Sequence, residues 1–202
     1  MTETMKHFKL RTDLTIKVCE KTLYRIEATK DITKFGVKFG DLGGYIEKEE
    51  NLSGDAWVSG EARVYGDAEV YGNARVSGNA RVSGNACVYG EARVYGDAEV
   101  YGDAEVYGNA RVYGDACVSG NACVYGDKIE KENDLINITS NAGSYNITIT
   151  PNHIKIGCQY HSKTAWFKFT DNEIVKMDDE KAVVWWKTWK PILKSICDGL
   201  KK

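Results

Sequence analysis

From residue 56 to residue 126 the chain repeats one six-residue frame, A-x-V-[YS]-G-[DNE], without an insertion. Alanine returns every six residues from Ala56 to Ala122, twelve times, and valine keeps the same step from Val58 to Val124. Alanine and valine, two residues apart, share one side of an extended segment, and x points to the other. The glycine and its polar successor supply residues that tolerate left-handed backbone at a sharp corner. Three such strands close a triangular coil of eighteen residues with only Ala and Val inside. Twelve hexads then predict about four coils, stacked at roughly 4.8 Å.

The flanks carry different patterns. LTIKVCEKTLYRI, residues 14–26, reads as two strands meeting around Glu20 and Lys21, and GDLGGYIEKEENLSGDAW leads into the first coil. After the repeat, LINIT (135–139), YNITIT (145–150) and HIKIGC (153–158) alternate like three strands, with turns at 141–144 and at Pro151 and Asn152. Helix starts are predicted at Ser162, Asp171 and Asp178. The last helical stretch puts Ala182, Trp185, Trp186, Trp189, Leu193 and Ile196 on one side, with Pro191 marking a break. A bare solenoid leaves strand edges and an apolar bore open at both ends, so the flanks are read as caps. The predicted organisation is mainly β: an N-terminal β cap over 1–50, a β-helix over 51–127 and an α+β C-terminal cap over 128–202.

The hexad run resembles the left-handed parallel β-helix of hexapeptide-repeat proteins. LYRIEA, GDLGGYIEKEENLSGDAWV, GSYNITIT and IKIGCQYHS together resemble a group of mostly uncharacterised hexapeptide-repeat proteins of phages and prophages. That resemblance implies a phage protein working in the cytoplasm of a bacterial host, and a homo-oligomer, with a trimer favoured. It brings no settled activity.

Composition narrows the picture. With 202 residues, two prolines and a formal net charge of −2, the chain reads as a modest soluble protein with no apolar run long enough for a membrane span. Six cysteines, at 19, 87, 117, 123, 158 and 197, form no tight disulfide framework. Cys87 and Cys123 fall two coils apart, about 9–10 Å, which is beyond disulfide reach. Reduced thiols are expected.

Many hexapeptide-repeat proteins are acyltransferases whose general base is a histidine at the coils. Here His7, His153 and His161 all lie outside residues 51–126, so a base within reach of the coils would have to come from a flank or a neighbouring subunit. His153, Cys158 and His161 are residue types that suit zinc, but their spacing lacks a paired signature. They are read instead as a strand histidine, a small core cysteine and a histidine before a helix cap. Cys87, Cys117 and Cys123 occupy the outward x position with no histidine spaced to activate them. No catalytic residue, metal site or cofactor is expected.

The outward letters, read in steps of eighteen, sort onto three faces. The first carries Trp57, Arg75, Arg93 and Arg111; the second Arg63, Arg81, Glu99 and Cys117; the third Glu69, Cys87, Glu105 and Cys123. The position after valine gives an unbroken ladder, Tyr71, Tyr89, Tyr107 and Tyr125, on the third face. It is read as an oligomer interface, because tyrosine suits such contacts. The repeat holds no lysine against twenty in the flanks, and all five of its cations are arginine. The arginine fork pairs bidentately with phosphate or carboxylate and stacks on rings, so Arg75, Arg93, Tyr95, Arg111 and Tyr113 are the candidate ligand residues. The alternative is that the arginines pair with Glu61, Glu91, Asp97, Asp115 and similar acids. Ser144, Asn146 and His161 form a second candidate site.

Five arginines against ten acids give the repeat a net charge of −5, which disfavours long nucleic acid. The leading expectation is a non-catalytic binding protein for a small anion of nucleotide type, and the resemblance to phage proteins implies sequestration of a host immune signal as its purpose. A scaffold contacting a host protein is second, and an acyltransferase third.

Overall fold

The structure is a computed structural model, and residues 6–139 and 145–199 are described. They form two compact units, one ending at Glu132 and one beginning at Asn133.

The first unit is a parallel β-solenoid with three faces. Five parallel strands make the first face: Trp57–Val58, Arg75–Val76, Arg93–Val94, Arg111–Val112 and Lys128–Ile129. The second runs from Leu42–Ile46 through Arg63–Val64, Arg81–Val82 and Glu99–Val100 to Cys117–Val118. Glu69–Val70, Cys87–Val88, Glu105–Tyr107 and Cys123–Tyr125 make the third, with Leu52 bridged to Val70 above it. Residues pair eighteen apart throughout the hexads, as in Arg75 with Arg93 and Arg93 with Arg111. Backbone N–H groups donate to the next coil at near-constant length, Arg93 N to Ala110 O and Tyr95 N to Val112 O both at 2.9 Å. Every repeat alanine and valine is fully buried, so one methyl and one isopropyl group per strand fill the bore. That is the period-two alternation expected of the frame.

The solenoid is longer than the hexads alone predict, about five coils rather than four. Leu42–Ile46 places Tyr45 beside Arg63 and Ile46 beside Val64, so Gly44 takes the alanine slot in an added coil. At the other end Lys128 pairs with Arg111 and Ile129 with Val112. A strict count would put residue 128 in the alanine slot. Instead Asp127 occupies it, buried, with its carbonyl accepting from Arg111 N at 2.8 Å. The frame has slipped by one residue.

Strands β1 (Phe8–Val18) and β2 (Lys21–Ala28) form an antiparallel hairpin continuous with the second face. Cys19 and Glu20 turn it, both at positive φ, the backbone that a two-residue hairpin loop needs to match strand twist. The hairpin and the segment after it cover the first coil. Trp57, expected to point outward, is 1% exposed, with the His7 ring 6.3 Å from its own.

The second unit is an antiparallel sheet with three helices. Its strands are Ile136–Ile138, Ile147–Ile149, His153–Ile156 and Gln159–Ser162, paired in chain order. The predicted third strand stops at Ile156, because Gly157 (φ 57°) and Cys158 turn the chain into a fourth strand that the sequence reading missed. The helices are α1 (Lys163–Lys168), α2 (Asp171–Met177) and α3 (Glu180–Gly199). Ser162 caps α1 as expected. Thr170 caps α2 through a reciprocal bond with Glu173, and Asp179 meets the first N–H groups of α3, each one residue from the predicted cap. Pro191 does not break α3. Proline removes one N–H, while a buried face of Ala182, Trp186, Leu193 and Cys197 holds both halves against Ile147, Ile149, Ile154 and Ile156. The tryptophan face therefore covers the strands of its own unit. The predicted turn at 141–144 lies outside the described residues.

Candidate ligand site on the first face

The corner geometry puts an outward side chain from each coil directly above the next. On the first face this stacks Trp57, Arg75, Arg93, Arg111 and Lys128 in strict register, about 4.8 Å apart. Like charges this close repel across parallel strands, yet the column recruits no acid. Among the described residues, none of Arg75, Arg93 and Arg111 makes a side-chain ion pair or hydrogen bond. The Arg75 guanidinium lies 5.8 Å over the Phe35 ring, and its Nε is buried without a partner.

Three of the four acids expected to neutralise the column, Glu61, Glu91 and Asp97, are engaged elsewhere. Glu61 pairs with Arg25 at 3.5 Å, Glu91 with Lys34 at 2.5 Å, and Asp97 accepts from Asn79 Nδ2 at 2.9 Å. Lys30 faces Asp55 at 3.6 Å. The second face contrasts sharply: Arg81 Nη1 donates to Glu99 at 2.8 Å.

Arg75, Ser77, Arg93, Tyr95 and Arg111 line a concavity of about 210 Å³, open to solvent. Four of the five predicted ligand residues are thus brought together. Tyr113 stands beside them, its ring stacked on Tyr95 at 5.0 Å and its hydroxyl donating to Glu130 at 3.3 Å. Ser77 and Lys128 were missed. Ser77 follows valine in the same word as Arg75 and was legible; Lys128 was hidden by the frame slip.

The other predicted residues are placed as follows. The tyrosine ladder stacks within the chain, with ring centroids 4.8 Å apart for Tyr71 and Tyr89 and 5.0 Å for Tyr89 and Tyr107, while Tyr125 tilts by 37°. Burial holds the phenols of Tyr71, Tyr89 and Tyr107 above their ordinary range. Cys123 is buried, not a surface letter, and Cys87 is half-buried, its thiol pushed up by burial and then by Glu69 and Glu105. That is the reverse of an activated nucleophile.

His7 is 4% exposed and donates to Ala56 O at 2.8 Å; burial lowers its pKa. In the second unit His153 stacks on Tyr160 at 4.8 Å, and His161 packs on Trp166 and Phe169 with its pKa lowered by burial. Cys158 is exposed rather than core, because it sits in the hairpin turn. No cluster of three or more His, Cys, Asp or Glu able to hold a metal occurs among the described residues. Of the second candidate site, Ser144 lies outside the described residues. Asn146 precedes one strand, with its carbonyl accepting from Gly157 at 2.9 Å, and His161 belongs to the fourth. No helix among the described residues is long and apolar enough to cross a membrane.

A three-faced bore of alanine and valine under strictly stacked corners defines the chain as a β-solenoid repeat protein. Residues 68–80, 74–90 and 104–119 match the model of the YdcK beta solenoid repeat. No curated protein matches the chain at a significant level.

Proposed function

We propose that the solenoid is a non-catalytic binding protein that captures a small anion of nucleotide type on its first face. The observation that carries this reading is the in-register column Arg75, Arg93 and Arg111, which lines an open concavity and has no carboxylate partner. An anion there would relieve the repulsion within the column. The planar forks suit bidentate contact with phosphate oxygens, and the Tyr95 ring stands two residues from Arg93 to stack a base. With ten acids against five arginines across residues 51–126, the wider field of the repeat disfavours a long polyanion and leaves a small anion as the fitting ligand. With the likeness of the flanks to phage proteins, the purpose we favour is sequestration of a host immune signal in the bacterial cytoplasm.

Calorimetric titration with cyclic and linear nucleotides and simple dicarboxylates tests this. At least one nucleotide should bind, and Arg93→Ala should weaken it at least about tenfold, because a charge-assisted hydrogen bond contributes roughly 1.5–3 kcal/mol. Arg93→Lys should fail to restore it, since a point charge lacks the fork. Arg81→Ala, already paired with Glu99, should change little. Binding that survives Arg93→Ala together with Arg111→Ala would move the site elsewhere. A second reading, a scaffold contacting a host protein, is favoured by Phe39 and Leu42, which are 72% and 46% exposed.

A further inference from the structure

Tyrosines at the position after valine stack into ladders, and the ladders of two faces stop at different places. On the third face Tyr71, Tyr89 and Tyr107 follow one another without a gap, their ring centroids 4.8 and 5.0 Å apart. On the first face the same positions read Ser59, Ser77, Tyr95 and Tyr113. Tyr95 and Tyr113 stack at 5.0 Å with 5° between their planes, and Ser77 stands where the next ring would be. Tyr113 covers one face of the Tyr95 ring, and no other ring stacks on Tyr95 among the described residues.

The gap opens into the concavity already described, since Ser77 and Tyr95 both line its 210 Å³. A cavity of about 150 Å³ accommodates a benzene ring, so one ring fits with room for its substituents. Arg75 and Arg93 lie on the same two coils as Ser77 and Tyr95, two residues earlier, or roughly 6.5 Å along an extended chain. The Arg75 guanidinium is held over the Phe35 ring at 5.8 Å. The next rung up, at Ser59, carries the buried Trp57 in place of an arginine. The Ser77 rung therefore combines a missing ring with an arginine that has no carboxylate partner.

We propose that this missing rung is a ring subsite: a planar aromatic ring takes the place of a tyrosine at Ser77, stacked on Tyr95, while its anionic group meets the forks of Arg75 and Arg93. The inference rests on the reading of the first face as an anion site and adds which part of the ligand the site selects. Offset-stacked rings favour centroids about 4.5–7 Å apart, and the ladder's own 5.0 Å spacing falls in that range. A ring thus enters at the existing register without moving the coils. The distance from ring to forks calls for a linker of the length of a ribose, so the ligand class is a nucleoside phosphorylated on its sugar rather than a bare aromatic acid. The second face also skips a ring, at Ser83 between Tyr65 and Tyr101. There the arginine of the rung, Arg81, is already paired with Glu99 at 2.8 Å.

The test titrates the full-length protein with adenosine 5′-monophosphate and with ribose 5-phosphate, the same anion with and without the ring. The nucleotide should bind at least about fivefold tighter, the least that stacking a base on an aromatic side chain contributes. Ser77→Tyr fills the rung with a residue that the frame already uses at this position, and it should abolish that advantage while ribose 5-phosphate binds as before. Tyr95→Leu removes the platform and should do the same, which keeps the test decisive if Ser77→Tyr does not fold. Ser83→Tyr, on the second face, should change neither affinity. Equal affinities for the two probes in the unaltered protein, or an advantage that survives Ser77→Tyr or Tyr95→Leu, would overturn the ring subsite and leave the anion site standing. Loss of the advantage in Ser83→Tyr would also overturn it, by moving the ring to the second face. Binding of neither probe would remove the anion site and the ring subsite together.

Discussion

A corner glycine in this solenoid answers two demands. Gly84 sits at φ 70°, and a Cβ built there would lie 2.9 Å from the backbone nitrogen of Gly102 in the next coil. Gly126 has the same left-handed backbone, φ 72°, but a Cβ there meets nothing within 4 Å. Both alanine variants carry the left-handed penalty, of order 1–3 kcal/mol, and only Gly84→Ala must also push two coils apart. Gly84→Ala should therefore lose clearly more stability than Gly126→Ala in denaturant titration, and equal losses would show that coil spacing is not limited by the glycine stack. His7 makes a residue-level prediction about pH. Its folded pKa is lowered, first by burial and then by Lys30, against the opposing bond to Ala56 O and the charge of Asp55. The neutral form is thus the one that fits the cover over Trp57. Its contribution is present above the ordinary histidine value of about 6.5 and is lost as pH falls below it. Thermal midpoints measured from pH 8 to pH 5 should drop, and His7→Gln should flatten the drop.

Among the elements, legibility in the sequence followed the range of the interactions involved. The hexad strands, their faces and the arginine column were readable because one word contains its own strand and corner, so local rules sufficed. Trp57 was misplaced because its cover comes from His7, some fifty residues earlier. Lys128 was overlooked because Asp127 takes an alanine slot one residue early, an event visible only once the strands are paired. In the C-terminal unit, Gly157 was read as part of a strand although it supports a tight turn, and the fourth strand was lost with it. Pro191 shows tertiary packing overriding a local signal, since the carbonyl of Lys187 forgoes its helical donor while Trp186 and Leu193 stay buried on either side. Pro191→Ala restores that N–H and should stabilise the C-terminal unit by about 1–3 kcal/mol, read as a shifted denaturation midpoint. No shift would mean that the helix already compensates for the missing bond.

At the scale of the whole molecule, each unit keeps its own core, and predictions about assembly and truncation follow separately. The tyrosine ladder presents stacked rings along the third face, with Tyr125 still 45% exposed. We expect a second copy of the chain to cover it. Changing Tyr89 and Tyr107 together to Glu should then reduce the mass found by light scattering, and an unchanged mass would exclude the ladder as the interface. Deleting residues 178–202 removes α3 and bares Ile147, Ile149, Ile154 and Trp166. Burying a large apolar side chain contributes ~1.5–3 kcal/mol, so the truncated chain should aggregate; a soluble, cooperatively melting product would show that the sheet does not need this helix.

The eighteen-residue register also makes the first face a counter. Removing eighteen consecutive hexad residues leaves every later letter on its own face, so the arginine column shortens by one rung and nothing else is rearranged. Removing six between Arg75 and Arg111 leaves the backbone equally regular but moves every later letter round to a neighbouring face, which carries Arg111 away from Arg75 while the bore still holds only alanine and valine. Length changes in such a gene are thus of two kinds that the fold itself cannot tell apart, and only the pattern on the surface records which has occurred.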